Sequence, residues 1–147
     1  MCDTFAANML SGTAAAIFTG TPPIAFTFGL GAVLVFPLYF RAATAIPDGN
    51  SPAALTTAIQ RFGATHVFTS PTGYKVLTAR FEEFNLSSMR VCVAAGEALA
   101  ERISTAWHQK SGIRIVDGIG GTEMMHIFMS AAGDSIRPGS TGKAVPG

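Results

Sequence analysis

The residues best suited by type and order to do chemistry are Thr122 and Glu123, which close the stretch Asp117-Gly118-Ile119-Gly120-Gly121-Thr122-Glu123. A hydroxyl followed by a carboxylate suits a phosphate and the Mg2+ that accompanies it, with Thr122 donating to an oxygen and Glu123 holding the hard cation. The glycines ahead of them let a ligand approach the backbone closely. The same spacing equally describes a glycine turn that carries a surface glutamate, and the residues alone leave both readings open. A second stretch, Ala94-Ala95-Gly96-Glu97-Ala98-Leu99, offers backbone amides at the opening of a helix, where a ligand can be cradled. By itself it is more simply a structural turn. A third, running from Pro22 to Gly31, contains Gly29-Leu30-Gly31. Leu34 stands where a dinucleotide fingerprint needs glycine or alanine, so that reading is rejected.

These stretches need elements to position them, and the pattern beyond residue 40 supplies alternating short apolar runs and amphipathic stretches. Residues 42–46 read as a strand, closed by the turn Pro47-Asp48-Gly49-Asn50. Ser51 and Pro52 are an N-cap and a first-turn proline for a helix over 53–62, which Gly63 ends. A strand follows at 66–69, a helix at 71–81, a strand at 90–94, a helix at 99–110 stopped by Ser111-Gly112, and a strand at 113–116. Strands alternating with helices of this length predict an α/β fold with parallel strands. The glycine-rich stretch then falls at a strand's carboxyl end, where open α/β sheets bind ligands.

Composition narrows the function classes. The net charge is +1 with no basic run, which gives no footprint for nucleic acid or an anionic membrane surface. Charged residues make up only 13% of the chain, too few to cover a complete small domain, so some of the surface is expected to face neighbouring structure. The ending Lys143-Ala144-Val145-Pro146-Gly147 is loop-like and reads as a cut. Cys2 and Cys92 are far apart and form no disulfide or metal pattern, which favours a reducing, cytoplasmic setting. No charge lies between Asp3 and Arg41, and residues 24–40 approach a membrane span in length. Pro22, Pro23, Pro37, Gly29 and Gly31 oppose that reading, as does the lack of a flanking positive charge. No membrane partner is expected.

Taken in order, the stretches resemble the adenylate-forming (AMP-binding) superfamily, and within it the benzoate-CoA and 2-aminobenzoate-CoA ligase group. Pro22-Pro-Ile-Ala-Phe-Thr-Phe-Gly-Leu-Gly31 resembles that group's acyl-pocket segment, and Ala95-Gly-Glu-Ala-Leu99 its adenine-side loop. Asp117 to Phe128 resembles its variant of the Tyr-Gly-x-Thr-Glu motif, and Arg137 to Gly147 the loop that follows. The resemblance runs over residues 18–147, as a partial AMP-binding domain, and leaves 1–17 unassigned. It implies part of the large N-terminal domain of an acyl-CoA synthetase-like α/β fold. Gly96, Glu97 and Ala98 would lie along the adenine through their backbone. Asp117 would face the adenine amine, with Gly118, Ile119 and Gly120 beside it, although Ile119 stands where most of the superfamily has tyrosine. Thr122 would contact phosphate and Glu123 the Mg2+. Ala25, Phe26 and His126 would line the acyl pocket, with a satisfied core role for His126 left open, while His66 and His108 are structural or surface residues. The implied activity is ATP-dependent conversion of a small aromatic carboxylic acid to its acyl-adenylate and then its CoA thioester. The family's phosphate loop, ribose-binding aspartate and lysine-bearing small domain do not occur in these residues. The segment alone is therefore expected to be inactive, and a non-catalytic nucleotide- or acyl-binding module is the alternative.

Overall fold

Four short runs of β-branched and aromatic residues build the middle of one sheet. They are β1 (Ile17–Gly20), β3 (His66–Thr69), β4 (Val91–Ala94) and β5 (Ile115–Gly120), and the two-residue strand β2 (Ala43–Thr44) lies outside β1. The structure, a computed structural model, describes residues 1–146. The sheet has seven strands in the order β2-β1-β3-β4-β5-β6-β7, where β6 is Ile127–Ser130 and β7 is Lys143–Ala144. Pairing is parallel from β2 to β5 and antiparallel from β5 to β7. All four residues of β3 are buried, as expected for a parallel strand covered on both faces.

Helices α4 (Pro52–Phe62), α5 (Pro71–Ala79) and α6 (Glu101–Ser111) cover one face. Ser51 Oγ accepts from the Ala54 amide and Ser70 Oγ from the Gly73 amide, so both caps relieve unpaired first-turn N–H groups. Their apolar sides bury Leu55, Ile59, Tyr74, Leu77 and Trp107 against Val67, Cys92 and Ile115 of the sheet. The other face is covered by the N-terminal segment, which contains the short helix α1 (Ala7–Met9), and by a broken helical stretch. That stretch comprises α2 (Thr27–Leu30), a π-helical turn (Gly31–Val35) and α3 (Phe36–Phe40). Here Phe5, Leu10, Phe18, Phe36, Phe68, Val93 and Val116 pack together. His66 anchors this side: its ring stacks on Phe18 at 4.3 Å, and Nε2 meets the Leu10 carbonyl at 2.9 Å.

The apolar stretch before Arg41 is thus spent on β1 and on three short helical pieces. Among the described residues, no helix is long and apolar enough to cross a membrane. Gly29 and Gly31, excluded above as a dinucleotide fingerprint, lie in α2 and the π turn.

Several boundaries differ from the sequence expectation: the strand expected at 42–46 shrinks to Ala43–Thr44, the helix expected at 71–81 ends at Ala79, and the helix expected at 99–110 begins at Glu101. The strand expected at 113–116 runs on to Gly120, so the glycines lie inside β5 and not after it. A side chain at Gly118 would meet Ile127 at 2.5 Å, and one at Gly120 the His126 carbonyl at 2.6 Å. These glycines let β6 close onto β5. Of the segment read as a loop-like ending, Lys143 and Ala144 form β7, which pairs Met129 with Ala144, and Gly147 lies outside the described residues.

Candidate nucleotide and acyl site

The parallel strands end along one rim, and the residues just beyond them, Thr21, Ser70 and Ala95, line a cleft of about 500 Å3. This volume suits a small molecule. Gly96, Gly120 and Thr122 border the same cleft, as do Phe26, Phe28 and His126. Residues from four separate stretches therefore meet at the carboxyl ends of the strands, where α/β sheets bind ligands.

The backbone explains why Gly96 stands where it does. Its φ is +88°, a left-handed conformation that L side chains rarely adopt, and the turn it makes presents the chain edge to the cleft. Glu97 and Ala98 follow it, both exposed. The Glu97 carboxylate accepts from the Thr72 hydroxyl at 2.7 Å and the Thr72 amide at 3.3 Å.

After Gly121 the chain makes a 3-10 turn over Thr122–Met124, which leaves Thr122 and Glu123 exposed. Met125 then takes φ +65°, a left-handed conformation, and turns the chain back into β6. Thr122 borders the cleft, and the Glu123 carboxylate lies beside Gly121, on the side that faces solvent. Among the described residues, no group of three or more His, Cys, Asp or Glu is gathered to hold a metal. A lone exposed carboxylate suits a hard cation that takes its other ligands from phosphate and water.

His126 is the polar residue set deepest in the cleft wall. It is 2% exposed, and its ring lies among Phe5, Phe28 and Phe36, with centroids 5.1, 5.8 and 4.7 Å away. Neither ring nitrogen has a hydrogen-bond partner among the described residues. Burial lowers its pKa to about 4, against an opposing pull from the Phe28 backbone, so the ring is neutral at pH 7. The fit is close: a Cβ on Gly31 would lie 2.7 Å from Nε2.

Not every expected site residue reaches the cleft. Asp117 lies in a separate small crevice with Leu99, Ser104 and Thr141, where its carboxylate accepts from the Thr141 hydroxyl at 2.9 Å. Burial raises its pKa, opposed by the Thr141 hydroxyl and the Gly118 amide. Gly118 is buried under Ile127, Ile119 is 47% exposed on the outer side, and Ala25 is exposed without bordering the cleft. Conversely, Thr21, Asn50 and Ser70 border it without having been expected to. Ser70 directly follows the strand expected at 66–69, a signal the sequence carried, whereas Thr21 follows β1, which the sequence did not reveal.

A glycine-edged cleft with a hydroxyl and an aromatic wall, at the carboxyl rim of a mostly parallel sheet, is the kind of place where α/β proteins bind small ligands. The sequence profile of the family described as AMP-binding enzyme matches residues 2–147, and the chain belongs to that family. The match takes in residues 2–17, which resemblance had left unassigned.

Among curated relatives, the benzoate–CoA ligase of Thauera aromatica is 38% identical over 83% of this chain and 24% of its own length. The anthranilate–CoA ligase of Pseudomonas aeruginosa is 32% identical over 99% of this chain and 28% of its own. The chain thus spans about a quarter of the length of these relatives. Among solved structures, the anthranilate CoA ligase AuaEII in complex with anthranoyl-AMP superposes with a TM-score of 0.89 at 37% identity, covering 96% of this chain and 28% of that one. A benzoate CoA ligase from Burkholderia xenovorans LB400 gives 0.91 at 30% identity, covering 99% and 30%.

Proposed function

We propose that this chain carries part of the nucleotide and acyl face of an ATP-dependent, AMP-forming aryl acid–CoA ligase acting on benzoate, 2-aminobenzoate or a closely related ring. The observation that carries the reading is the single cleft that joins Gly96, Gly120 and Thr122 to Phe26, Phe28 and His126. The relatives named benzoate– and anthranilate–CoA ligase, and the solved complex with anthranoyl-AMP, support the same substrate class.

In this reading the backbone of Gly96, Glu97 and Ala98 lies along the adenine. Asp117 exchanges its bond to Thr141 for the adenine amine, with Gly118, Ile119 and Gly120 flanking it. Thr122 donates to a phosphate oxygen, which fixes the group for in-line attack by the acid's carboxylate. Glu123 would hold Mg2+, which supplies positive charge where phosphate charge develops. Ala25, Phe26 and His126 take the aryl acid. A flat apolar ring packs well against the Phe26 ring, and the neutral imidazole adds no charge to repel or trap the carboxylate. CoA accepts the acyl group in the second half-reaction. Cys2 and Cys92 are free thiols, which suits a reducing cytoplasm.

The test is ATP–pyrophosphate exchange by the full polypeptide with benzoate and with 2-aminobenzoate. Exchange that depends on either acid supports the ligase reading. AMP binding without exchange would replace it with a non-catalytic nucleotide-binding module.

A further inference from the structure

Glu97 lies in the loop read above as the adenine cradle, yet it does not border the cleft. Its carboxylate accepts two hydrogen bonds from one residue, the hydroxyl and the amide of Thr72 at 2.7 and 3.3 Å. Thr72 stands in the first turn of α5, whose unpaired amides carry partial positive charge. Ser70, the cap of that helix, already takes the Gly73 amide, so Glu97 takes a further free donor of the same turn. Both residues that flank this contact, Ser70 after β3 and Gly96 after β4, border the cleft. The loop has little else to hold it. A side chain at Gly96 would meet nothing within 4 Å, and Gly96, Glu97 and Ala98 are all exposed.

We propose that Glu97 is a positioning residue: its carboxylate clamps the Gly96–Ala98 loop to the first turn of α5 and so sets the shape of the nucleotide cradle without touching the nucleotide. This rests on the proposed function only for the identity of the ligand. A charge-assisted pair of bonds from an exposed loop to a helix end lowers the entropy that the loop would otherwise lose when a ligand orders it. Its effect should therefore fall on binding and not on the chemical step.

The experiment compares Glu97→Ala, Glu97→Gln, Thr72→Val and the double variant Glu97→Ala/Thr72→Val in the full polypeptide. AMP affinity is read by calorimetry and amide hydrogen exchange over residues 95–99. Glu97→Ala should weaken AMP about tenfold and speed exchange in the loop, while Glu97→Gln, which keeps an accepting oxygen, should stay within about threefold of the parent. The double variant should be no worse than Glu97→Ala alone, because the hydroxyl bond that Thr72→Val removes is already lost with the Glu97 carboxylate. Additive losses in the double variant would place the Glu97 side chain on the nucleotide and overturn the proposal, as would unchanged loop exchange in Glu97→Ala. If the parent binds no AMP, the nucleotide reading fails, and loop exchange in the same variants still decides the clamp.

Discussion

The two faces of the sheet are built on opposite terms. Under α4, α5 and α6 every large side chain closes on another, and the polar atom at its centre is used twice: the Tyr74 hydroxyl lies 2.9 Å from the Val67 carbonyl and 3.3 Å from the Val93 carbonyl. Cys92 sits beside it, its thiol pushed up to about 12 by burial and so chemically inert. On the opposite face phenylalanines surround His126, whose two nitrogens stay unpaired, and the packing opens into the cleft. A buried polar group without partners is destabilising. Among the described residues, each face leaves a buried polar group without a partner, Trp107 Nε1 on the first and His126 on the second, but only His126 does so next to the place where a ligand would bind.

The sharpest way to break this contrast is Trp107→Ala. Trp107 is fully buried and meets Tyr74 and Phe81 edge-on at 5.1 and 5.7 Å. Its removal should cost about 3–5 kcal/mol of stability, measured by urea unfolding. Glu123→Gln should do the reverse. It should remove about 3 kcal/mol of transition-state stabilisation in pyrophosphate exchange by the full polypeptide, with the unfolding midpoint unchanged. Exchange within a few-fold of the parent would take Glu123 out of the site.

His126→Leu tests the open face through pH. The folded ring has its pKa near 4, below the ordinary 6.5. Below 6.5 the unfolded chain binds a proton that the folded chain refuses, so stability falls as pH drops from 6.5 towards 4 and is flat above that window. Over the whole window the loss from this residue is roughly 3 kcal/mol. His126→Leu should flatten that slope in urea titrations at pH 4.5, 5.5 and 7. A residual slope of the same sign is expected from His66, whose pKa burial also lowers, opposed by the Leu10 carbonyl. An unaltered slope would mean that His126 finds a partner in solution. The smallest effect on stability belongs to Phe26→Ala. Phe26 is 65% exposed, so the change should stay within about 0.5 kcal/mol, while aryl-acid affinity falls far more than ATP affinity. Equal losses of both would make Phe26 a structural residue.

How much of this was legible depended on local signals. The cap Ser51, the proline after it and the stops at Gly63 and Gly112 are written into neighbouring residues, and α4 and the end of α6 follow them closely. Strand β3 matches its expected limits for the same reason. Strand β1 was hidden, because an apolar stretch without alternation does not distinguish a buried strand from a helix. The site was partly legible: Gly120 and Thr122 of the glycine-rich stretch, and Phe26, do reach one cleft. The bond from Asp117 to Thr141 was not, since it joins residues whose proximity depends on β6 returning beside β5. The same limit hid the partner of Glu97, which lies one strand and one helix earlier in the chain.

The antiparallel turn from β5 into β6 has a consequence for the order of assembly. Residues 121–126 are the shortest connection between paired strands in this sheet, whereas each parallel neighbour is reached through a helical crossover. Closing a short loop is fast and loses little chain entropy, and long-range parallel pairing is slow. Ile115 to Ser130 should therefore gain hydrogen-exchange protection first during refolding, ahead of β1 and β3. The turn that bears Thr122 and Glu123 would then be in place before the aromatic wall it faces has formed.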